Sequence, residues 1–307
     1  VMNVLPFYYI YGNSVLHTHL AAGGSIVLEN SMLYPHQILE RMAQECVSGF
    51  SGVPSTFGIL LKRTRLEDYD LSSLRYLTQA GGAMAPANIR RVREAIPHAE
   101  FFVMYGQTEA AARLSYLPPD QLSEKMGSVG VAIPGVELEV QDEHGRGVPT
   151  GVTGEICARG PNVMLGYWND PDLTNQVLRD GWLRTGDLAY RDEDGYLYIA
   201  GRSSEMIKSG AHRISPKDIE EVILELDEVE EAAVVGIPDD LLGQIIKAIV
   251  VLRSGSTLEK RYIQAHCKAN LAVYKIPKLI EFAKKLPKTE SGKIRRFLLQ
   301  EQSLEHF

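Results

Sequence analysis

The sequence predicts an α/β protein in two parts. A large domain over residues 1–201 should carry a mixed, mostly parallel sheet with helices, followed by a β-barrel-like layer. A small α+β domain then occupies 202–307. Three observations predict this. Short apolar runs alternate with amphipathic segments through the first third, the strand–helix–strand rhythm of a parallel sheet. From about Ser128 to Ala200 the texture changes to β-rich runs broken by Gly, Pro and Asp turns. After Gly201-Arg202, helix-period and strand-period segments alternate over about a hundred residues, enough for a separate core.

Taken in order, Ser25 to Leu28 reads as a buried strand, and His36 to Val47 places Ile38, Leu39, Met42 and Cys46 at helical spacing. Pro54 sits where a helix can begin, with apolar residues through Leu61. Leu74 to Gln79 is a strand ending in Gly81-Gly82, Pro86 starts a helix, and Glu100 to Tyr105 is a strand ending in Gly106. Ligands of such sheets lie beyond the carboxyl ends of the strands, where both glycine-bearing ends fall. The middle layer holds VELEV, GEICARG and YLYIAG, with turns at Glu143-His144-Gly145 and Asp194-Gly195. In the last part Pro216 to Leu226 and Leu258 to Ala269 read as helices, and Glu231 to Ile237, Ile245 to Leu252 and Leu279 to Ala283 as strands. A polar loop then runs to Lys293.

The bulk composition bounds the function. Hydrophobic residues make up 45% and charged residues 23%, ordinary for a globular chain. The net charge of −7 argues against nucleic acid as a partner, which usually demands a basic domain. No stretch approaches the roughly 18 apolar residues of a transmembrane helix. Cys46, Cys157 and Cys267 are far apart and form no CxxC pair, so they read as small buried apolar residues in a reducing, cytoplasmic setting. The chain opens at Val1 directly on an apolar segment, without initiator Met or entry turn, and so reads as cut in mid-fold; a targeting segment is absent from this piece alone.

Four segments carry chemistry. Tyr105-Gly106-Gln107-Thr108-Glu109 follows a strand: Gly106 lets the backbone approach a ligand, Thr108 offers a hydroxyl to phosphate, and Glu109 suits a hard cation. By itself it is also a plain strand-to-loop turn with an exposed Glu. Gly181-Trp182-Leu183-Arg184-Thr185-Gly186-Asp187 ends on an Asp suited to a ribose diol, or to capping a hairpin turn. Gly201 to Gly210 (GRSSEMIKSG) sets Arg202 and Lys208 on a Gly-bounded segment between domains, either a hinge reaching a cleft or a solvated linker. Leu286 to Arg296 (LPKTESGKIRR) presents Lys293 at a loop tip, where a cation can neutralise charge on a phosphoryl or carboxylate oxygen.

Together, and in this order, these segments resemble the adenylate-forming superfamily of acyl- and aryl-CoA synthetases, nonribosomal-peptide adenylation domains and firefly-type luciferases. Gly81-Gly82-Ala83, Gly154-Glu155-Ile156 and Gly166-Tyr167-Trp168 agree as well, so the resemblance covers essentially the whole chain. It implies that a carboxylate attacks the α-phosphate of Mg-ATP, after which a mobile C-terminal lid rotates and a thiol displaces AMP. That thiol would be CoA or the pantetheine of an acyl carrier protein. By motif position, Gly81, Gly82, Ala83 and Tyr105 would line the adenine, with Gly106 and Gln107 in the same nucleotide loop. Thr108 would touch the α-phosphate, Glu109 would hold Mg2+, and Asp187 with Arg202 the ribose. Lys293 would serve adenylation and Lys208 the thiol-accepting state. Ser204 takes the hinge position, where the family more often has Asp or Lys, and Gln244 stands where Glu is frequent.

The resemblance also implies what to expect of the substrate. Amino-acid adenylating domains place an Asp near Pro6 to Asn13 to pair an ammonium, and here there is no acid. A neutral small-molecule acid, fatty or aryl, is therefore expected, since an unpaired buried ammonium is costly. Tyr9 stands where many relatives carry His and would line the acyl pocket, or pack as a core tyrosine. The basic residues from Lys260 to Arg296 could meet CoA phosphates or an acidic carrier protein, or simply be solvated. The family's Ser/Thr/Gly-rich phosphate loop is not in the chain. These residues alone are therefore expected to adenylate poorly and to leave apolar surface uncovered near Val1 to Ile10. The main reading is an AMP-forming acid–thiol ligase making acyl-CoA. The alternatives are an enzyme loading a carrier protein and a non-catalytic scaffold module.

Overall fold

The computed structural model describes residues 1–29, 31–210, 212–289 and 294–304. Contacts divide the chain into two compact units, Val1–Thr185 with Ala189–Ile199, and Gly186–Leu188 with Ala200–Phe307.

The first unit is built on a seven-stranded sheet ordered β2-β1-β3-β4-β5-β6-β7. Its strands are β1 (Met2–Asn3), β2 (Val27–Leu28), β3 (Gly49–Gly52), β4 (Tyr76–Gln79), β5 (Glu100–Tyr105), β6 (Ser115–Leu117) and β7 (Val131–Ala132). Neighbours from β2 to β5 run parallel, whereas β6 and β7 add antiparallel. The crossovers are α1 (Ile10–Ala21), α2 (Pro35–Gln44), α3 (Pro54–Arg63) and α4 (Pro86–Ala95). The last three begin on proline, whose fixed φ and missing N–H suit a first turn that has no acceptor. Their apolar faces (Ile38 and Met42, Phe57 and Leu60, Ile89 and Val92) close over Phe50, Leu77 and Phe101 of the sheet. Phe57 meets Phe50 edge-on at 5.8 Å between ring centroids.

Several expectations change. The run Ser25–Leu28 is an edge strand of two residues rather than a buried one, and Leu28 is 46% exposed, since β2 pairs on one side only. Cys46 lies beyond α2 with φ +47 and is exposed, while Cys157 and Cys267 are buried as expected. Near the start, Val1, Met2 and Leu5 are buried because β1 inserts between β2 and β3, whereas Pro6, Tyr8 and Tyr9 are exposed, Tyr8 at 70%. Helix α1 was not legible. Its apolar residues do not gather on one face: Val15 is buried but Leu20 is 59% exposed. Strand β3 was hidden by its glycines. A side chain at Gly49 would run into the Tyr76 ring 2.1 Å away.

A second, five-stranded sheet comprises β8 (Glu137–Gln141), β9 (Gly154–Arg159), β10 (Leu178–Arg179), β11 (Trp182–Arg191) and β12 (Leu197–Arg202). The pairs β8–β9 and β10–β11 are antiparallel. Helix α5 (Pro171–Val177) leads into β10, capped by the Asp170 carboxylate accepting from the Leu173 N–H at 2.9 Å.

The second unit holds a sheet of β13 (Ile207–Ser209), β14 (His212–Ile214), β15 (Val229–Asp239), β16 (Gly243–Leu252) and β17 (Leu279–Phe282), with α6 (Pro216–Ile223), α7 (Lys260–Asn270) and α8 (Arg296–Leu304). Both faces of β15 and β16 are covered. Ala232, Val234, Ala248 and Val250 pack with Ile219, Ile223 and Ile263; Ala233, Val235, Ile249 and Val251 pack with Leu286 and Leu299. Hence these strands read as near-continuous apolar runs instead of alternating ones. The segment read as a hinge or a linker contains a strand, since Ile207 is buried and pairs with Ile214.

Candidate nucleotide site

In the first unit the register pairs Gln79 with Val103 in parallel, so the strand ends carrying Gly81-Gly82 and Tyr105-Gly106 come out side by side on the carboxyl edge of the sheet. Gly81 has φ +86, a conformation glycine holds without strain, and Gly82, Ala83 and Gly81 are exposed. The Gln79 side-chain amide donates to the Gly82 carbonyl at 2.7 Å and fixes this loop from below. Tyr105, Gly106 and Gln107 are half-buried, and Thr108 is exposed.

The loop after β5 doubles back at once. Leu114 N–H donates to the Tyr105 carbonyl at 2.8 Å, and a side chain at Gly106 would come within 2.1 Å of the Ala112 carbonyl oxygen. Ala111 and Ala112 both take positive φ, +47 and +81. Such backbone costs about 1–2 kcal/mol per non-glycine residue and persists where surrounding bonds determine it. Here they do: the Asn162 amide donates to the carbonyls of Ala110 and Arg113 at 3.0 and 2.8 Å, and Met164 N–H donates to the Glu109 carbonyl at 2.7 Å. The Tyr167 hydroxyl donates to Glu109 Oε1 at 2.8 Å. Burial, then this bond to Glu109, pushes the Tyr167 phenol up to about 12, so it remains a donor at neutral pH. Tyr167 was noticed in sequence only as part of a subsidiary glycine-aromatic run; its role toward Glu109 needs the fold.

In the second unit, Asp187 lies inside β11 and is buried, at 6% exposure. It is no turn cap. Burial alternates along β11, and the inward position falls on this carboxylate after Gly186, which has φ +75. A buried charge requires a partner. Arg202, at the end of β12, brings its Nε to 2.9 Å from Asp187 Oδ1 while its side chain stays half exposed. The two residues assigned to one ligand from distant motifs thus meet. Ser204 is exposed in a short helical turn, Ser203–Glu205, after β12. Lys208 is exposed on β13, its backbone N–H donating to the Gln244 side-chain oxygen at 2.7 Å. Lys293 lies outside the described residues. Tyr9 caps the start of α1, 36% exposed, with its ring 4.6 Å from that of Tyr8.

Among the described residues no group of three or more His, Cys, Asp or Glu could hold a metal by itself. Glu109, half-buried just beyond β5, offers a single carboxylate there. A separate cleft of about 450 Å³ lies in the second unit, between the β13–β14 hairpin and the segment before β17. Its walls include His212 and Tyr274, whose rings stack at 4.0 Å, together with Ile276 and the exposed Lys278.

With this geometry in hand, the AMP-binding enzyme family model matches residues 1–168, and the AMP-binding enzyme C-terminal domain model matches 218–293. The chain belongs to this adenylate-forming family. It is 35% identical, over its whole length, to a long-chain-fatty-acid–CoA ligase of Bacillus subtilis, and covers 55% of that protein. It is 40% identical over 90% of its length to a feruloyl-CoA synthase of Amycolatopsis, again covering 55%. Among solved structures, the amide bond synthetase McbA of Marinactinospora thermotolerans superposes with TM-score 0.91 at 32% identity, over 98% of this chain and 61% of that one. The chain therefore spans just over half the length of these curated relatives. No helix among the described residues is long and apolar enough to cross a membrane.

Proposed function

We propose that this chain is part of an ATP-dependent, AMP-forming acid–thiol ligase that activates a neutral carboxylic acid, fatty or aryl, and transfers the acyl group to CoA. The observation that carries this reading is the Asp187–Arg202 pair. A buried carboxylate beside a half-exposed guanidinium places a fixed, charged acceptor where the hydroxyls of a vicinal diol can donate to it, and a ribose presents such a diol.

The remaining roles follow from chemistry. The exposed glycine-edged loop Gly81–Ala83 and the Tyr105 ring give an adenine a flat, close-approach surface, and Gly106 and Gln107 keep the backbone low beneath it. Thr108 donates to the α-phosphate and Glu109 binds magnesium, which supplies charge neutralisation of the phosphates. The acid's carboxylate oxygen attacks the α-phosphorus, the bond to pyrophosphate breaks, and Lys293 steadies both charged groups. The CoA thiol then attacks the acyl carbon, AMP leaves, and Lys208 stands on the face presented for that step. Ser204 serves as the hinge between the domains at 1–201 and 202–307, and Tyr9 lines the acyl pocket. The stacked His212 and Tyr274 with Lys278 offer a purine platform and a phosphate contact, which supports CoA over a carrier protein as acceptor. The absence of an acidic residue from Pro6 to Asn13 supports a neutral acid, as do the fatty-acid and feruloyl specificities for which the relatives are named. The cysteines, all free thiols, agree with a cytoplasmic setting.

The test is acid-dependent ATP–pyrophosphate exchange by the full-length protein across fatty, aryl and amino acids, with Lys293→Ala alongside and CoA or carrier protein supplied in a second step. Exchange with a neutral acid, lost in the variant and followed by acyl-CoA formation, is expected. A folded, ATP-binding protein that exchanges with no acid would return the scaffold reading.

A further inference from the structure

One guanidinium in the second unit, three residues after Lys293 in the chain, touches the turn that leads to Lys208. Arg296 opens α8, two residues after Ile294, which forms an antiparallel bridge with Lys288. Its Nη1 and Nη2 engage the two carboxylate oxygens of Glu220, the latter at 3.0 Å, a bidentate arrangement only arginine can make. Glu220 is itself fixed, buried on α6 and accepting the Val234 N–H at 2.7 Å. The remaining edge of the guanidinium is used as well: Arg296 Nε donates to Glu205 Oε2 at 3.0 Å. Glu205 ends the short helical turn that contains Ser204 and leads straight into β13 and Lys208.

The two carboxylates are not equivalent. Glu220 and Arg296 are mostly covered, with side chains 11% and 19% exposed, so this pair anchors α8 to the sheet. Glu205 is 39% exposed, and nothing in packing demands a charge there. An anchor for α8 needs Glu220 alone; the third contact adds a tie to the turn before β13.

We propose that Arg296, three residues after Lys293 in the chain, is a positioning residue: it ties the Ser203–Glu205 turn to the start of α8, so that the segment entering β13 and Lys208 keeps a fixed place on the second unit when the C-terminal domain changes orientation. This inference rests on the ligase reading for its consequence, though not for its geometry. Severing only the outer contact, by Glu205→Ala, leaves Glu220 and α8 in place. In the full-length protein, backbone amide exchange over 203–209 should then accelerate about threefold, the size expected for a partly exposed ion pair. The ratio of the two half-reaction rates, ATP–pyrophosphate exchange against acyl-CoA formation from preformed acyl-adenylate, should shift by a similar factor. Glu205→Gln, which keeps a neutral hydrogen bond, should recover part of both. Unchanged amide exchange overturns the tie, and accelerated exchange with an unchanged ratio overturns its role in positioning. A wild type with no acid-dependent exchange at all refutes the ligase reading instead, and the amide measurement still decides the tie.

Discussion

Glu109 and Asp187 are both carboxylates assigned to nucleotide binding, and the molecule treats them in opposite ways. Asp187 sits inside a ladder, 6% exposed, with a cation as partner. Glu109 stands on a doubled-back loop, half-buried, with a neutral phenol as partner. The contrast matches the proposed tasks. A group that binds neutral hydroxyls is best kept charged and rigid by a guanidinium, whereas one that binds a divalent cation is best left without a competing positive charge. Tyr167 orients Glu109 without neutralising it.

Substitutions can break this contrast, the largest first. Asp187→Ala removes a charged acceptor and leaves Arg202 unpaired; two hydrogen bonds to a charged group at about 1.5–3 kcal/mol each make a loss of about a hundredfold or more the expectation. It should appear in ATP–pyrophosphate exchange by the full-length protein as a raised KM for ATP. Glu109→Gln keeps the Tyr167 contact but loses the charge, and should lower exchange about thirtyfold, with part of the loss recovered by raising magnesium, roughly the 2 kcal/mol of one charged contact. If extra magnesium recovers nothing, Glu109 is not a metal ligand. Tyr167→Phe removes one hydrogen bond of about 1 kcal/mol and should cost about fivefold, again more in the magnesium dependence than in the acid's KM. An effect as large as that of Glu109→Gln would mean that Tyr167 touches substrate directly.

A separate expectation, on stability and not on activity, concerns a phenol that pairs with neither carboxylate. Tyr11 bonds Thr78 Oγ1 at 2.6 Å, and Thr78 donates to Ser51 Oγ at 2.8 Å, joining α1 to β4 and β3. Burial, partly offset by the bond to Thr78, pushes the Tyr11 phenol from its ordinary 10.0 up to about 12. The folded state keeps this proton longer than the unfolded one. Its stabilising difference is thus complete below pH 10 and lost as pH rises to about 12, about 3 kcal/mol in all. Denaturant melts of the full-length protein at pH 8 and 11.5 should show that decline, smaller in Tyr11→Phe. An identical decline in the variant would assign it to other groups.

Legibility in the sequence followed the same division between local and distant causes. Helices α2, α3 and α4 were readable because a proline starts each and an apolar stripe recurs at helical spacing. Strand β5 was readable to the residue, since Glu100–Tyr105 is apolar and bounded by Gly106. Helix α1 and strand β3 were not, because Gly12 and Gly49 are there to admit a neighbouring carbonyl and a tyrosine ring, a reason no local pattern contains. The β13–β14 hairpin was not read from the sequence, where the segment stood as a hinge or a linker, because its short strands hold few apolar residues, and pairing with β16 is what supports it.

By itself the sequence determined the α/β class, the change of texture after residue 127 and again after 201, and the order of four motifs that marks an adenylate-forming protein. These follow from periodicity, turn chemistry and residue type, all of them short-range. Only the tertiary structure decided that Arg202 reaches Asp187, that Tyr167 orients Glu109 from 58 residues away, and that Arg296 joins Glu220 to Glu205. Pairings of this kind depend on which strands and loops the packed sheets bring together. A polar group that loses water must find its partner wherever the fold has placed one, and chain distance gives no sign of where that is.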